Sequence, residues 1–248
     1  MSQLALFGTD RQSLIDDASG QILYFPACIS VELARSWFDL LHEGIAWKHE
    51  RRMMYEREVD VPRLVAGFRL DDRALPKPLA QAATLVERVA GARFNSVGLN
   101  CYRDRNDSVA PHHDRLGEIV AGHPIALLSL GATRRMTIRA KATPRRSLAI
   151  DLEAGSVLLM DYTSQLHYLH DIPKQKTAVG PRISVAFRMR PAPTFEVKRR
   201  SSIPMEHRCG GDCDQVPPAP TTTDRIKRCS TRLVARRSQW EDRGQGST

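Results

Sequence analysis

At 248 residues, 42% hydrophobic and 26% charged, the chain has the make-up of a globular protein with room for one substantial core and a tail. No apolar run approaches the roughly 18 residues of a membrane-crossing helix. MSQLALFGTDRQ does not read as a secretory leader, and five scattered cysteines, an odd number, describe no disulfide framework. A reducing cytoplasm is the expected setting. The net charge of +9 makes nucleic acid the expected polyanionic partner, unless the arginine content only reflects a GC-rich genome. No membrane is expected, and the chain is read as a monomer.

In chain order, QILYFPACIS (21–30) reads as a short strand and turn. VELARSWFDLLHEGIAW (31–47) sets Leu33, Trp37, Leu40, Leu41 and Ile45 at helical spacing, behind Ser30 as N-cap. The block 53–70 mixes arginines with Val59, Val61, Leu64, Val65 and Phe68, and Pro62 interrupts it. It predicts short strands and loops. LPKPLAQAATLVERVAG (75–91) predicts a second amphipathic helix, with Pro78 in its first turn and Gly91 at its C-cap.

From residue 94 the period becomes two. FNSVGLNCY, PIALLSLGA, RMTIRA, RSLAIDLEA, GSVLLMDY and RISVAFRMR are strand-like runs parted by Gly, Pro and polar clusters. Helices followed by such a series predict an α+β chain, with the helices segregated to one side of a largely antiparallel sheet. A barrel or jelly roll is its natural closure. Beyond Pro191 the chain is rich in Pro, Thr, Ser, Gly and Arg, the composition of a disordered basic tail.

APHHDRLGE (110–118) carries His112-x-Asp114, a weak signal alone. LHYLHDIP (166–173) offers a third ligand, either His167 or His170. Two histidines and one carboxylate match the facial triad of non-haem Fe(II), which leaves open positions for a bidentate co-substrate and dioxygen. A structural zinc site would be closed by thiolates, and no cysteine stands beside this cluster. In RISVAFR (182–188), period two puts Arg182, Ser184, Ala186 and Arg188 on one face. Ile183, Val185 and Phe187 fall on the core face. The two arginines, about 20 Å apart along the strand, suit opposite ends of a dicarboxylate. Asn100 and Tyr102 share a face of another strand and bring hydrogen-bonding groups.

Taken together, these segments resemble the AlkB family of Fe(II)/2-oxoglutarate-dependent dioxygenases. FNSVGLNCYRDRNDSVAPHHD resembles that family's FN-x-hydrophobic-x-x-N-x-Y strand and HxD. IALLSLGATRRMTIRAK resembles its SLGA-x-R hairpin, LEAGSVLLMDYTSQLHYLHDIPK its GS-LL-M strand and distal His, and GPRISVAFR its PRxNxTFR strand. The resemblance runs from about residue 45 to 190. It implies a double-stranded β-helix, a jelly-roll core with N-terminal helices packed on one sheet. The division it implies is 1–44 N-terminal extension and helix, 45–191 dioxygenase domain and 192–248 basic tail.

Residue by residue, the resemblance makes His112, Asp114 and His170 the iron ligands, His170 fitting better than His167. Asn100, Tyr102, Arg182, Arg188 and Ser184 become the 2-oxoglutarate contacts. VPRLVAGF (61–68) resembles the family's nucleobase-pocket hairpin. Arg63, Phe68, Tyr55 and Arg115 are accordingly the expected substrate contacts. The implied cofactors are Fe(II), 2-oxoglutarate and O2, and the implied reaction is oxidative dealkylation of alkylated bases in DNA or RNA. Basic clusters at 48–52, 134–135 and 145–146 are candidate phosphate contacts.

Departures are Ser184 where the family has Asn, Ala186 where it has Thr, and Arg115 where bacterial members carry acid. Two other readings compete. One keeps the cofactor chemistry on a modified RNA, a protein or a small molecule. The other is a nonenzymatic nucleic-acid-binding protein with a decayed barrel.

Overall fold

The computed structural model describes residues 11–54 and 57–192. Strands β1 (Gln12–Asp17) and β2 (Gly20–Phe25) precede helix α1 (Val31–Gly44), strands β3 (Lys48–Met54) and β4 (Arg57–Arg69), and helix α2 (Lys77–Ala90). Strands β5 (Ser96–Tyr102) and β6 (Val109–His112) follow, then a 3-10 turn over Leu116–Glu118. Next come β7 (Ile125–Gly131), β8 (Arg134–Ala140), β9 (Ser147–Leu152) and β10 (Val157–Met160). Helix α3 (Tyr162–His167) leads into β11 (Tyr168–Ile172), and β12 (Arg182–Arg188) completes the fold.

The strands form two antiparallel sheets. One has eight strands in the order β1-β2-β10-β7-β12-β5-β4-β3, and the other has four in the order β6-β11-β8-β9. This is the double-stranded β-helix, with α1 and α2 on one face of the larger sheet. Trp37 and Leu41 of α1 and Leu79 and Val86 of α2 pack with Leu128, Ile183, Val185 and Phe187 in one core. A second core joins Tyr24, Ile125, Leu158 and Ala186 of the large sheet to Met136, Ile138 and Ile172 of the small one. Strand β12 therefore serves both cores through the alternation its sequence predicts. Each such fully buried side chain contributes about 1.5–3 kcal/mol.

Helices α1 and α2 carry the caps their sequences indicate, though α1 stops at Gly44, short of the expected 47. The Ser30 hydroxyl accepts the Leu33 N–H at 3.3 Å, and Gly91 closes α2 in the left-handed region at φ 62°. None of the described helices is long and apolar enough to cross a membrane.

Three expectations are corrected. The block 53–70, read as short strands and loops, is mostly the single long strand β4. Pro62 is tolerated because it falls where the β3–β4 register shifts, between the pairs Arg51↔Asp60 and His49↔Leu64. A proline lacking its N–H costs least at such a bulge, and its carbonyl is used by the Ser108 N–H at 2.9 Å. The boundary expected at residue 45 falls inside the fold, since β2 lies in the sheet between β1 and β10. Helix α3 separates β10 from β11, the strand that carries His170. Arg134, read as part of a basic surface pair, is completely buried. The tail, apart from its first residue, lies outside the described residues, as does Tyr55.

Candidate metal centre

Strand pairing brings the candidate ligands together. His112 ends β6 and stands opposite His170 in the antiparallel β6–β11 ladder, so residues 58 positions apart become cross-strand neighbours. Their ring centroids are 4.4 Å apart, tilted by 54°. Asp114 follows β6 by two residues. One ligand atom from each of His112, Asp114 and His170 lies within 4.8 Å of the others. His167 is the exposed last residue of α3 and stands outside this group.

Each ligand is held by the surrounding chain. His112 Nδ1 lies 2.9 Å from the Ala110 carbonyl. A carbonyl only accepts, so Nδ1 carries the proton and Nε2 keeps its lone pair for a metal. The Asp114 N–H donates to Oε1 of buried Gln165 at 3.1 Å. Arg188 donates from Nε to Asp114 Oδ2 at 2.8 Å, and its Nη2 stands 2.7 Å from the same oxygen as an ion pair. Burial drives the His170 imidazole down to about 3, which keeps it neutral and fit to ligate. Burial also raises the Asp114 carboxyl, but Arg188 and the imidazoles outweigh it and hold the carboxylate below its usual range.

His112 and Asp114 lie in the wall of a cavity of about 730 Å³, with His170 buried behind them. Asn100, Arg63, Arg115, Glu118, Arg188 and Arg190 also face it. Arg63 Nε donates to Asn100 Oδ1 at 2.7 Å, joining a residue expected at the base to one expected at the co-substrate. Arg115 turns to Glu118 at 3.0 Å, and Glu118 also takes Arg190 at 3.0 Å, so the acid beside Arg115 is clasped by two arginines.

Arg182, Tyr102 and Ser184 are buried on the inner face of β12 and β5. Arg182 Nη2 donates to Ser129 Oγ at 2.9 Å, while its Nε and Nη1 have no hydrogen-bond partner. Two unsatisfied guanidinium donors in a dry interior fit a carboxylate. Arg188, the other arginine of the expected two-ended clamp, lies six residues further along β12. Its guanidinium is engaged by Asp114.

Phe68 does not face the cavity. With Leu64 and Ala66 it lies on the helix side of β4 and packs against the core, because period two sends Phe68 and Arg63 to opposite faces. Sequence reading also overlooked Gln165 and Ser129. Arg134 was visible as the arginine of SLGA-x-R, but its role was not.

Comparison with known proteins adds the following. A family model described as the 2OG-Fe(II) oxygenase superfamily matches residues 21–188. The "DNA oxidative demethylase ALKBH2" of Homo sapiens is 26% identical over 196 residues, covering 75% of this chain and 72% of that protein. Its Bos taurus counterpart is 35% identical over 124 residues, 46% of this chain, and the match spans only 45% of that relative's length. The "Alpha-ketoglutarate-dependent dioxygenase alkB homolog 3" of Mus musculus is 27% identical over 200 residues, covering 73% of this chain and 70% of that protein. The solved structure "The structure of OsALKBH1" shares the fold with a TM-score of 0.50 at 14% identity, covering 72% of this chain and all of its own (100%).

Proposed function

Because the chain belongs to the 2OG-Fe(II) oxygenase superfamily and is AlkB-like within it, we propose that it oxidatively dealkylates alkylated nucleobases in DNA or RNA. It is a dioxygenase that uses Fe(II), 2-oxoglutarate and O2. The residues present fit that set: two imidazoles and one carboxylate for the metal, and a buried arginine with two free donors for a carboxylate. When bound, these cofactors convert 2-oxoglutarate to succinate and carbon dioxide and deliver an oxygen atom to the N-alkyl carbon, whose hemiaminal collapses to an aldehyde and the free base.

The protein's own part is positioning. His112, Asp114 and His170 would hold the metal, with Arg188 and Gln165 fixing Asp114. Arg182 and Tyr102 would take the far carboxylate of 2-oxoglutarate, with Ser184 and Asn100 along the same face. Arg63 and Arg115, in the cavity wall, would meet the substrate.

One observation carries the nucleobase reading: His112 and Asp114 of the triad open onto a cavity of about 730 Å³, of the size that takes a small planar ligand. A base flipped out of a strand would reach it, and the net charge of +9 favours the phosphate backbone. The test is succinate release with Fe(II) and 2-oxoglutarate, with and without methylated oligonucleotides. Stimulation by the methylated strands is expected, with aldehyde released in equal amount. Turnover indifferent to every nucleic acid would overturn the substrate assignment and leave the cofactor chemistry standing.

A second reading keeps the cofactors and changes the substrate to a protein or small molecule. It is favoured by the cavity wall, where no Phe, Tyr or Trp stands among the described residues to stack on a base.

A further inference from the structure

Tyr102 shares its ring with two guanidinium groups. The Cζ atoms of Arg134 and Arg182 each lie 5.4 Å from its centroid. Both arginines are 0% exposed and Tyr102 is 2%. Arg182 is the pair of Tyr102 across the β12–β5 ladder, whereas Arg134 comes from β8 in the other sheet.

The two arginines are satisfied differently. Arg134 donates from Nη1 to the Asp104 carbonyl at 3.0 Å, and from Nη2 to those of Asp107 and Pro173 at 2.8 and 2.9 Å. Its head is therefore fixed by three carbonyls from two loops. Arg182 donates to the Ser129 hydroxyl and lies against Tyr102, with no hydrogen-bond partner within 3.5 Å of Nε or Nη1. Two buried cations beside one ring repel each other, and in a dry interior this is poorly screened. Burial lowers the Arg182 guanidinium to about 10, with Tyr102 opposing and Arg134 adding to the effect. An anion reaching Arg182 relieves the repulsion, and an anion elsewhere does not.

We infer that Arg134 is a positioning residue for co-substrate selection. It holds Tyr102 beside Arg182 and adds its charge to the subsite for the far carboxylate, so the pocket prefers a dicarboxylic 2-oxo acid to a monocarboxylic one. The inference rests on reading Arg182 as the partner of the far carboxylate of 2-oxoglutarate. It is independent of the nucleic-acid substrate.

The experiment is calorimetric titration of the full chain, loaded with Mn(II) under anaerobic conditions. 2-Oxoglutarate is compared with pyruvate, which keeps the 2-oxo acid end and lacks the far carboxylate. Removing a buried cation is expected to weaken 2-oxoglutarate about tenfold in Arg134→Met while leaving pyruvate unchanged, with Arg134→Lys intermediate. A purely structural role in tying the loops at 104–107 and 173 would weaken both ligands alike. An unchanged ratio of the two affinities in Arg134→Lys and Arg134→Met overturns the inference, and Arg134→Lys alone decides should Arg134→Met not fold. Arg182→Met is the control for the subsite itself. If its ratio is also unchanged, the assignment of Arg182 falls and the inference falls with it; if only Arg182→Met changes the ratio, the inference alone falls.

Discussion

Arg188 holds Asp114 by one oxygen only: Nε at 2.8 Å and Nη2 at 2.7 Å both reach Oδ2. The carboxylate is thereby oriented without its other oxygen being taken up by the guanidinium. Gly98 makes room for this, since a Cβ there would lie 3.3 Å from Arg188 Nη1. The last strand of the fold thus sets the aim of a ligand that follows its sixth strand.

Replacing Arg188 with methionine should release Asp114 while leaving the fold intact. Outer partners of metal ligands are worth about 10–100-fold in metal affinity. Titration of the apoprotein with Co(II), followed by its visible absorption, should show a loss of that order. Wild-type affinity in Arg188→Met would show that Asp114 is oriented by other groups.

The choice of distal ligand is tested in the same way. His170→Ala is expected to abolish Co(II) binding, as are His112→Ala and Asp114→Asn. His167→Ala should bind as the wild type does, because His167 is exposed at the end of α3. Retained binding in His170→Ala would refute the triad.

Gly131 stands at φ +83°, where a Cβ would meet the Pro181 carbonyl at 2.5 Å and the Phe38 ring at 2.7 Å. It also pairs with Arg182 in the β12–β7 ladder. Gly131→Ala should therefore cost about 1–3 kcal/mol in urea unfolding, and should weaken 2-oxoglutarate through the displaced strand. An unaltered midpoint would show that the turn has more freedom than its geometry implies.

The Asp107–Arg103 pair gives a pH dependence. Burial raises the Asp107 carboxyl, but the hydrogen bonds and charge of Arg103 outweigh it and hold the group below its ordinary value. A depressed folded value means the stabilisation is present above about pH 4, the unfolded value, and is lost as the pH falls through the folded one. The stability difference between wild type and Asp107→Asn should be of order 1 kcal/mol at pH 7 and shrink below about pH 4. A difference that stays constant down to pH 3 would assign it to packing.

Much of the fold was legible because period two carries its own geometry. Ile183, Val185 and Phe187 were assigned to a core and pack there, and Ser30 caps the helix its hydroxyl predicts. What escaped depends on contacts between distant segments. The β6–β11 ladder that sets His170 against His112 has no local signature. Arg134 and Arg135 read as one basic pair, yet alternation sends the first inward and leaves the second paired with Asp151 at the surface. Local pattern shows that neighbours diverge, and the partner sheet determines which one is buried. Pro62 misled for the converse reason, since a bulge accepts the residue that ordinarily ends a strand.

Strand β2 runs between β1 and β10, pairing Leu23 with Leu159 and Phe25 with Val157. A shortened protein starting at residue 45 would leave one side of β10 as a bare row of amides and carbonyls. Exposed hydrophobic edges of that kind recruit strands from other molecules. The β1–β2 hairpin thus covers an edge that would otherwise be open to other molecules, and a protein trimmed to residue 45 is expected to self-associate.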